Sequence, residues 1–335
     1  MSDDLDVLLN TRGQTAEFGV NVTAALFDGA GRAVFACGDG TLRLREGDGY
    51  QTLQAHDGAV LALAAHPLGG VVTGGDDGRL CWTTDGEVRE IAKFGAKWVE
   101  QLASFTGKGA LIAAGVGKLV HLFNAEGKKL RELAHPSTVT GLAFDAKGKR
   151  IAASHYNGAS LWFTASTAAP RVLEWKGSHT GVVLHPEGTA LVTSMQENAL
   201  HGWTLPEGKH MRMSGYPAKT ESMGFTKSGK WLATAGPDTL VLWPFFGGGP
   251  MGKPPLELGM GDGVIKRVAC HPQHEVVAAG FSSGLGLMLD VPGEKVLPLC
   301  APGRGAFTAL SWNASGTCLA FGTDTGFAGL VNFAG

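Results

Sequence analysis

The residues that could do chemistry are few and scattered. Eleven histidines are present, and the three that end a short apolar run, His66, His185 and His271, each stand directly before a proline. A position repeated in that way points to a structural role before a ligand role. His271-Pro272-Gln273-His274 has the i,i+3 spacing of some metal pairs. It falls on a turn and not on a helix, so the two imidazoles have no reason to converge. Gly115-Val116-Gly117-Lys118 lacks the length of a phosphate loop and the helix that would follow it, and reads as a hairpin turn. The sequence carries no HExxH or EF-hand pattern. Five cysteines are spread along the chain without CxxC spacing, which argues against a disulfide framework or a zinc site. No catalytic residue, metal or cofactor is therefore expected. A second set of residues suits recognition instead. Trp98, Tyr216, His155, Tyr156, Lys97, Lys219 and Arg304 fall in the connections between apolar runs. Aromatic side chains mixed with cations favour protein interfaces.

Those connections are positioned by a repeat. Each unit has a short apolar run ending in an aromatic or histidine: Phe27, His66, Phe105, Phe144, His185, Phe225, His271 and Trp312, at intervals of 39 to 46 residues. A turn follows, then a β-branched or apolar run, a polar or glycine-rich hairpin, and a third run. A fourth, more polar run completes seven of the units. A period near 40 residues with strand content is the mark of a β-propeller. The eighth unit runs out of chain before its fourth strand. Residues 5–18, with the apolar segment Leu5-Asp6-Val7-Leu8-Leu9, are expected to supply that strand and close the ring. The expectation is an all-β, single-domain propeller over residues 1–335. It has eight four-stranded antiparallel blades, with seven as the alternative, and no helical periodicity. Phe245 to Pro255 reads as a loop that lengthens one interval.

Composition agrees. Charged residues make up 17% and hydrophobic residues 44%, with 51 glycines and a net charge of −2. That balance argues against disorder and against a nucleic-acid or anionic membrane surface. No run of about 18 apolar residues appears, and the acidic start MSDDLDVLLN has no basic n-region. A cytoplasmic, monomeric protein is expected.

With the repeat laid out, the chain resembles the WD40 repeat family over roughly residues 20–333. The carrying motifs are His56…Asp76-Asp77-Gly78…Trp82, Gly38-Asp39-Gly40-Thr41-Leu42-Arg43-Leu44, Ser160-Leu161-Trp162, Gly202-Trp203 and Leu242-Trp243-Pro244. The resemblance implies a blade-holding network of His56, Thr73, Asp77 and Trp82. Trp82 stands one residue short of the family's place, which Thr83 occupies. It further implies a non-catalytic scaffold that binds a protein or peptide on the loop face. Two alternatives remain open. One is a propeller hydrolase or lactonase with a channel metal, for which the inner strands offer only Glu100 and Glu221. The other is a small-ligand or metal-handling accessory protein using loop-face histidines such as His155.

Overall fold

A computed structural model describes residues 5–334. The chain is built almost entirely of short antiparallel strands. In most repeats the second strand is the most apolar and the most buried. Ala33–Cys37, Val71–Gly75 and Ala190–Met195 have every residue buried. The fourth strand is the most exposed, as in Glu87–Lys93. This gradient follows from each repeat's inability to bury both faces alone. Its middle strands are covered by the neighbouring repeats, and its outer strand meets solvent. Val34, Leu42 and Leu44 of the first repeat pack in this way on Val60 and Val71 of the second.

The innermost strands form a ring. Val22–Phe27 packs on Val60–Ala65, that strand on Gln101–Phe105, and so on to Phe307–Trp312, which returns to Val22–Phe27. The described residues pair into seven sheets, six of four strands and one of six. The expectation of eight separate sheets thus gives way to its alternative of seven, for a local reason. In the fourth and fifth repeats two strands are each 14 residues long, Arg150–Phe163 and Arg171–Leu184. Their ends belong to different repeats. Residues 158–161 pair with 171–174 within the fourth repeat, while 179–184 pair with 191–195 in the fifth. Between these stretches Tyr156 pairs with Ser178, so one sheet carries both repeats. Gly158 makes this bend possible. Its φ is 139°, and a Cβ there would lie 2.1 Å from the Leu173 carbonyl oxygen.

Ring closure comes from the N-terminus. Gly13–Glu17 pairs antiparallel with Phe327–Asn332, from Gly13 opposite Val331 to Glu17 opposite Phe327. The strand lies later than the apolar segment expected to form it. Val7–Arg12 is instead a six-residue helix, the correction to an expectation of no helix. It places Leu9 in the cluster of Phe307, Phe321 and Phe327. The exposed outer strand GQTAE needs no apolar residues of its own. The Asp6 carboxylate clamps the segment. It accepts from the Ala301 N–H at 2.7 Å and from both Arg304 terminal nitrogens at 2.9 and 2.7 Å. Arg304 holds it well below the usual carboxylate range.

The strand-end histidines explain themselves. Nδ1 of His66, His185 and His271 accepts the N–H two residues on, closing the turn. Nε2 of His185 and His271 donates to the carbonyl of the next repeat's turn glycine, Gly229 at 3.0 Å and Gly316 at 2.9 Å. Only a neutral imidazole can accept on one nitrogen and donate on the other. In two of them burial favours that state, lowering His271 and taking His66 down to about 4.

Candidate functional site: the loop face

The entry loops and the hairpins between second and third strands share one face. What holds them differs by repeat. In the second repeat His56 and Thr73 are fully buried. His56 Nδ1 lies 3.0 Å from the Asp77 carboxylate and Nε2 lies 2.8 Å from the Thr73 hydroxyl. Asp77 also accepts the N–H groups of Asp57 and Arg79, each at 3.0 Å. With Nδ1 donating to the carboxylate, Nε2 takes the Thr73 proton, and every polar group is used. Burial lowers His56, while its hydrogen bond to Asp77 opposes that shift. Trp82 is absent from this network. Its ring stacks on His66 with centroids 3.8 Å apart, and Nε1 donates to the Gly69 carbonyl at 2.9 Å. The one-residue offset explains the exclusion, because neighbouring residues of a strand face opposite sides.

Tyr216 is a correction. It is 8% exposed and belongs to the interior of the sixth repeat, not to the exposed aromatics of the loop face. Its hydroxyl accepts from Trp243 Nε1 at 2.7 Å and donates to Thr234 Oγ1 at 2.6 Å, which donates on to the Val241 carbonyl at 3.0 Å. Tyrosine here does what histidine does in the second repeat. His155 is likewise buried, 1% exposed. Its Nδ1 donates to the Tyr156 carbonyl at 3.0 Å and its Nε2 accepts from Ser160 at 2.8 Å, which leaves no free nitrogen for a ligand. Arg304 is committed to Asp6 and lies over the Phe327 ring at 5.0 Å. Lys219 is half-buried; burial raises the nearby Glu221 carboxyl, but the hydrogen bond and charge of Lys266, then Arg267, lower it overall, with Lys219 adding least.

Two of the expected contact residues stand in solvent beside each other's loops. Trp98 is 56% exposed and Tyr156 is 54% exposed. Lys97 is exposed next to Trp98. Residues 136–139 run between the two aromatics. On one side Thr138 and Val139 join Lys97 and Trp98 around a hollow of about 380 Å³. On the other, Pro136 and Ser137 join Tyr156, Trp175 and Lys176 around a groove of about 850 Å³. Ser137 accepts the Tyr156 N–H at 2.8 Å and Asn157 accepts the Gly177 N–H at 3.2 Å, so the hairpin that presents Tyr156 is held at both ends. Trp175 stacks on His201 at 3.9 Å, the inter-repeat packing its outer-strand position suggests, and its edge also lines the groove. Val172 and His210 border the groove and carried no sequence signal, since each is an ordinary outer-strand residue.

Of the two channel carboxylates, Glu221 is engaged by Lys266 at 2.7 Å and Arg267 at 3.4 Å. Among the described residues no three His, Cys, Asp or Glu side chains are gathered as metal ligands. The five cysteines are unpaired, and burial raises every thiol, Cys37 to about 11 and Cys300 to about 12. A thiol held protonated is a poor nucleophile. No helix of the described residues is long and apolar enough to cross a membrane.

Comparison with known proteins agrees with this architecture. The WD domain, G-beta repeat model matches residues 47–82, from the outer strand of the first repeat to Trp82. WD repeat-containing protein slp1 of Schizosaccharomyces pombe is 27% identical over 188 residues, 52% of this chain and 38% of that protein. The match thus spans about two fifths of that relative's length. The crystal structure of the computationally designed Ika8 protein superposes with a TM-score of 0.74 at 18% identity, covering 94% of this chain and 97% of that one. At that identity the likeness is one of fold alone. With a matched repeat at residues 47–82, a WD-repeat relative and a closed ring of antiparallel sheets, the chain is a β-propeller that resembles the WD40 repeat family.

Proposed function

We propose that this propeller is a non-catalytic, monomeric scaffold that docks a protein or peptide on its loop face, across Trp98, residues 136–139 and Tyr156. The observation that carries the reading is the pair of large exposed aromatics flanking one concave, hydrogen-bonded segment. Aromatic anchors in a preorganised hollow are what partner surfaces concentrate their binding energy on. Lys97 and Lys176 add cations at the rim. The cytoplasmic location belongs to the same proposal, and five unpaired cysteines support it. The test is affinity capture with mass spectrometry, comparing wild type with Trp98→Ala/Tyr156→Ala at matched folding. Partners recovered by wild type and lost by the variant are expected. Equal recovery would place the docking surface elsewhere.

A further inference from the structure

We propose that a pocket in the sixth repeat takes a cationic side chain, arginine or lysine, from the docked partner; the partner itself rests on the docking reading above. The pocket holds about 300 Å³, the lower end of the range for ligand sites. Its apolar walls are Tyr216, Trp243, Pro217 and Pro237. They are rigid for stated reasons. Tyr216 is pinned by its hydroxyl to Thr234 and Trp243, and the prolines have fixed φ. The charged side chains that line it are both carboxylates, Asp238 and Glu257, and no lysine, arginine or histidine lines it. Both carboxylates are exposed, and neither forms an ion pair among the described residues.

Each part of the arrangement selects the same chemistry. Two unpaired carboxylates at the border of an apolar hollow attract a cation and repel an anion. Aromatic and proline walls cover the methylene stem of a long side chain while its charged head stays at the wet border. A guanidinium additionally stacks on aromatic rings, which favours arginine over lysine. The groove beside Tyr156 makes no such choice, because Lys176 and Glu174 give it mixed charge.

The probe is the tripeptide Ac-Gly-Arg-Gly-amide, titrated into the full-length protein while the Trp243 indole N–H is followed by NMR. The comparison ligand is the same tripeptide with citrulline, which keeps the shape and removes the charge. Saturable shifts at Trp243 with arginine, absent with citrulline, are expected. Asp238→Asn/Glu257→Gln, whose melting should match wild type, weakens binding roughly fivefold, the sum of two solvent-screened pairs. Equal response to the two tripeptides, or unchanged affinity in the double variant, overturns the proposal. Trp98→Ala/Tyr156→Ala should bind the arginine probe as wild type does. A pocket that fails while capture still depends on Trp98 and Tyr156 therefore refutes this assignment alone.

Discussion

The second repeat and the fused sheet of the fourth and fifth repeats solve one problem in two ways. Each must fasten the hairpin between its second and third strands to the neighbouring loop. In the second repeat a carboxylate does it: Asp77 gathers His56, the Asp57 N–H and the Arg79 N–H. The fourth repeat has no acid at that hairpin, and the backbone does it instead, through the Tyr156 and Ser178 pair and the Asn157 link to Gly177. The consequences differ. A side-chain network draws the hairpin inward and buries its partners. A backbone seam leaves the side chains free, so Tyr156 points into solvent at the edge of a groove while His155 turns inward to Ser160. The best-preserved repeat accordingly buries His56 and Thr73, and the departure from pattern leaves Tyr156 exposed beside a groove.

Acid is the largest perturbation because it acts on both regions at once. His56, His66, His135, His179 and His201 all have lowered values, with burial as the first cause; His66 and His135 fall to about 4 and His201 to about 3. Their unfolded counterparts titrate near 6.5. Below that pH the unfolded chain takes up protons that the folded one refuses, so stability is full above about pH 6.5 and is lost as pH falls toward 4. Asp77, also lowered, adds its loss below its ordinary 3.8. Urea unfolding at stepped pH reads this directly; a midpoint constant from pH 7 to 4.5 would contradict it.

Asp77→Ala comes next and should affect the second repeat far more than any single change in the fused seam. It strands a buried imidazole donor and two N–H groups, for a cost of about 3 kcal/mol. Chemical denaturation measures it. Tyr216→Phe should cost about 1–2 kcal/mol, because Trp243 Nε1 loses its acceptor. A neutral result there would mean that the sixth repeat is held by packing alone. The smallest effect is expected for Trp98→Ala/Tyr156→Ala, within about 0.5 kcal/mol of wild type, as befits exposed side chains.

The repeat, its strand order and closure by the N-terminus were legible because apolar periodicity and turn glycines are local signals. The strand-end histidines His66, His185 and His271 were legible as structural because they recur in phase. Three features were not. The seam between the fourth and fifth repeats joins loops some 20 residues apart, and no local pattern marks a Tyr156 and Ser178 pair. Tyr216 looked like a surface aromatic because the expected residue type there was histidine, although its spacing of 18 to Thr234 resembles the 17 from His56 to Thr73. The helix Val7–Arg12 is too short to show a period, and the polar GQTAE that follows does not look like a strand.

On the proposed reading, exposed aromatics on the loop face, and not the buried His, Thr and Asp network, are what a partner docks on. The most direct measurement takes one preparation of Trp98→Ala/Tyr156→Ala and records both its melting temperature and its partner capture against wild type. Unchanged melting with partners lost is the predicted result. Unchanged melting with partners retained would contradict the account.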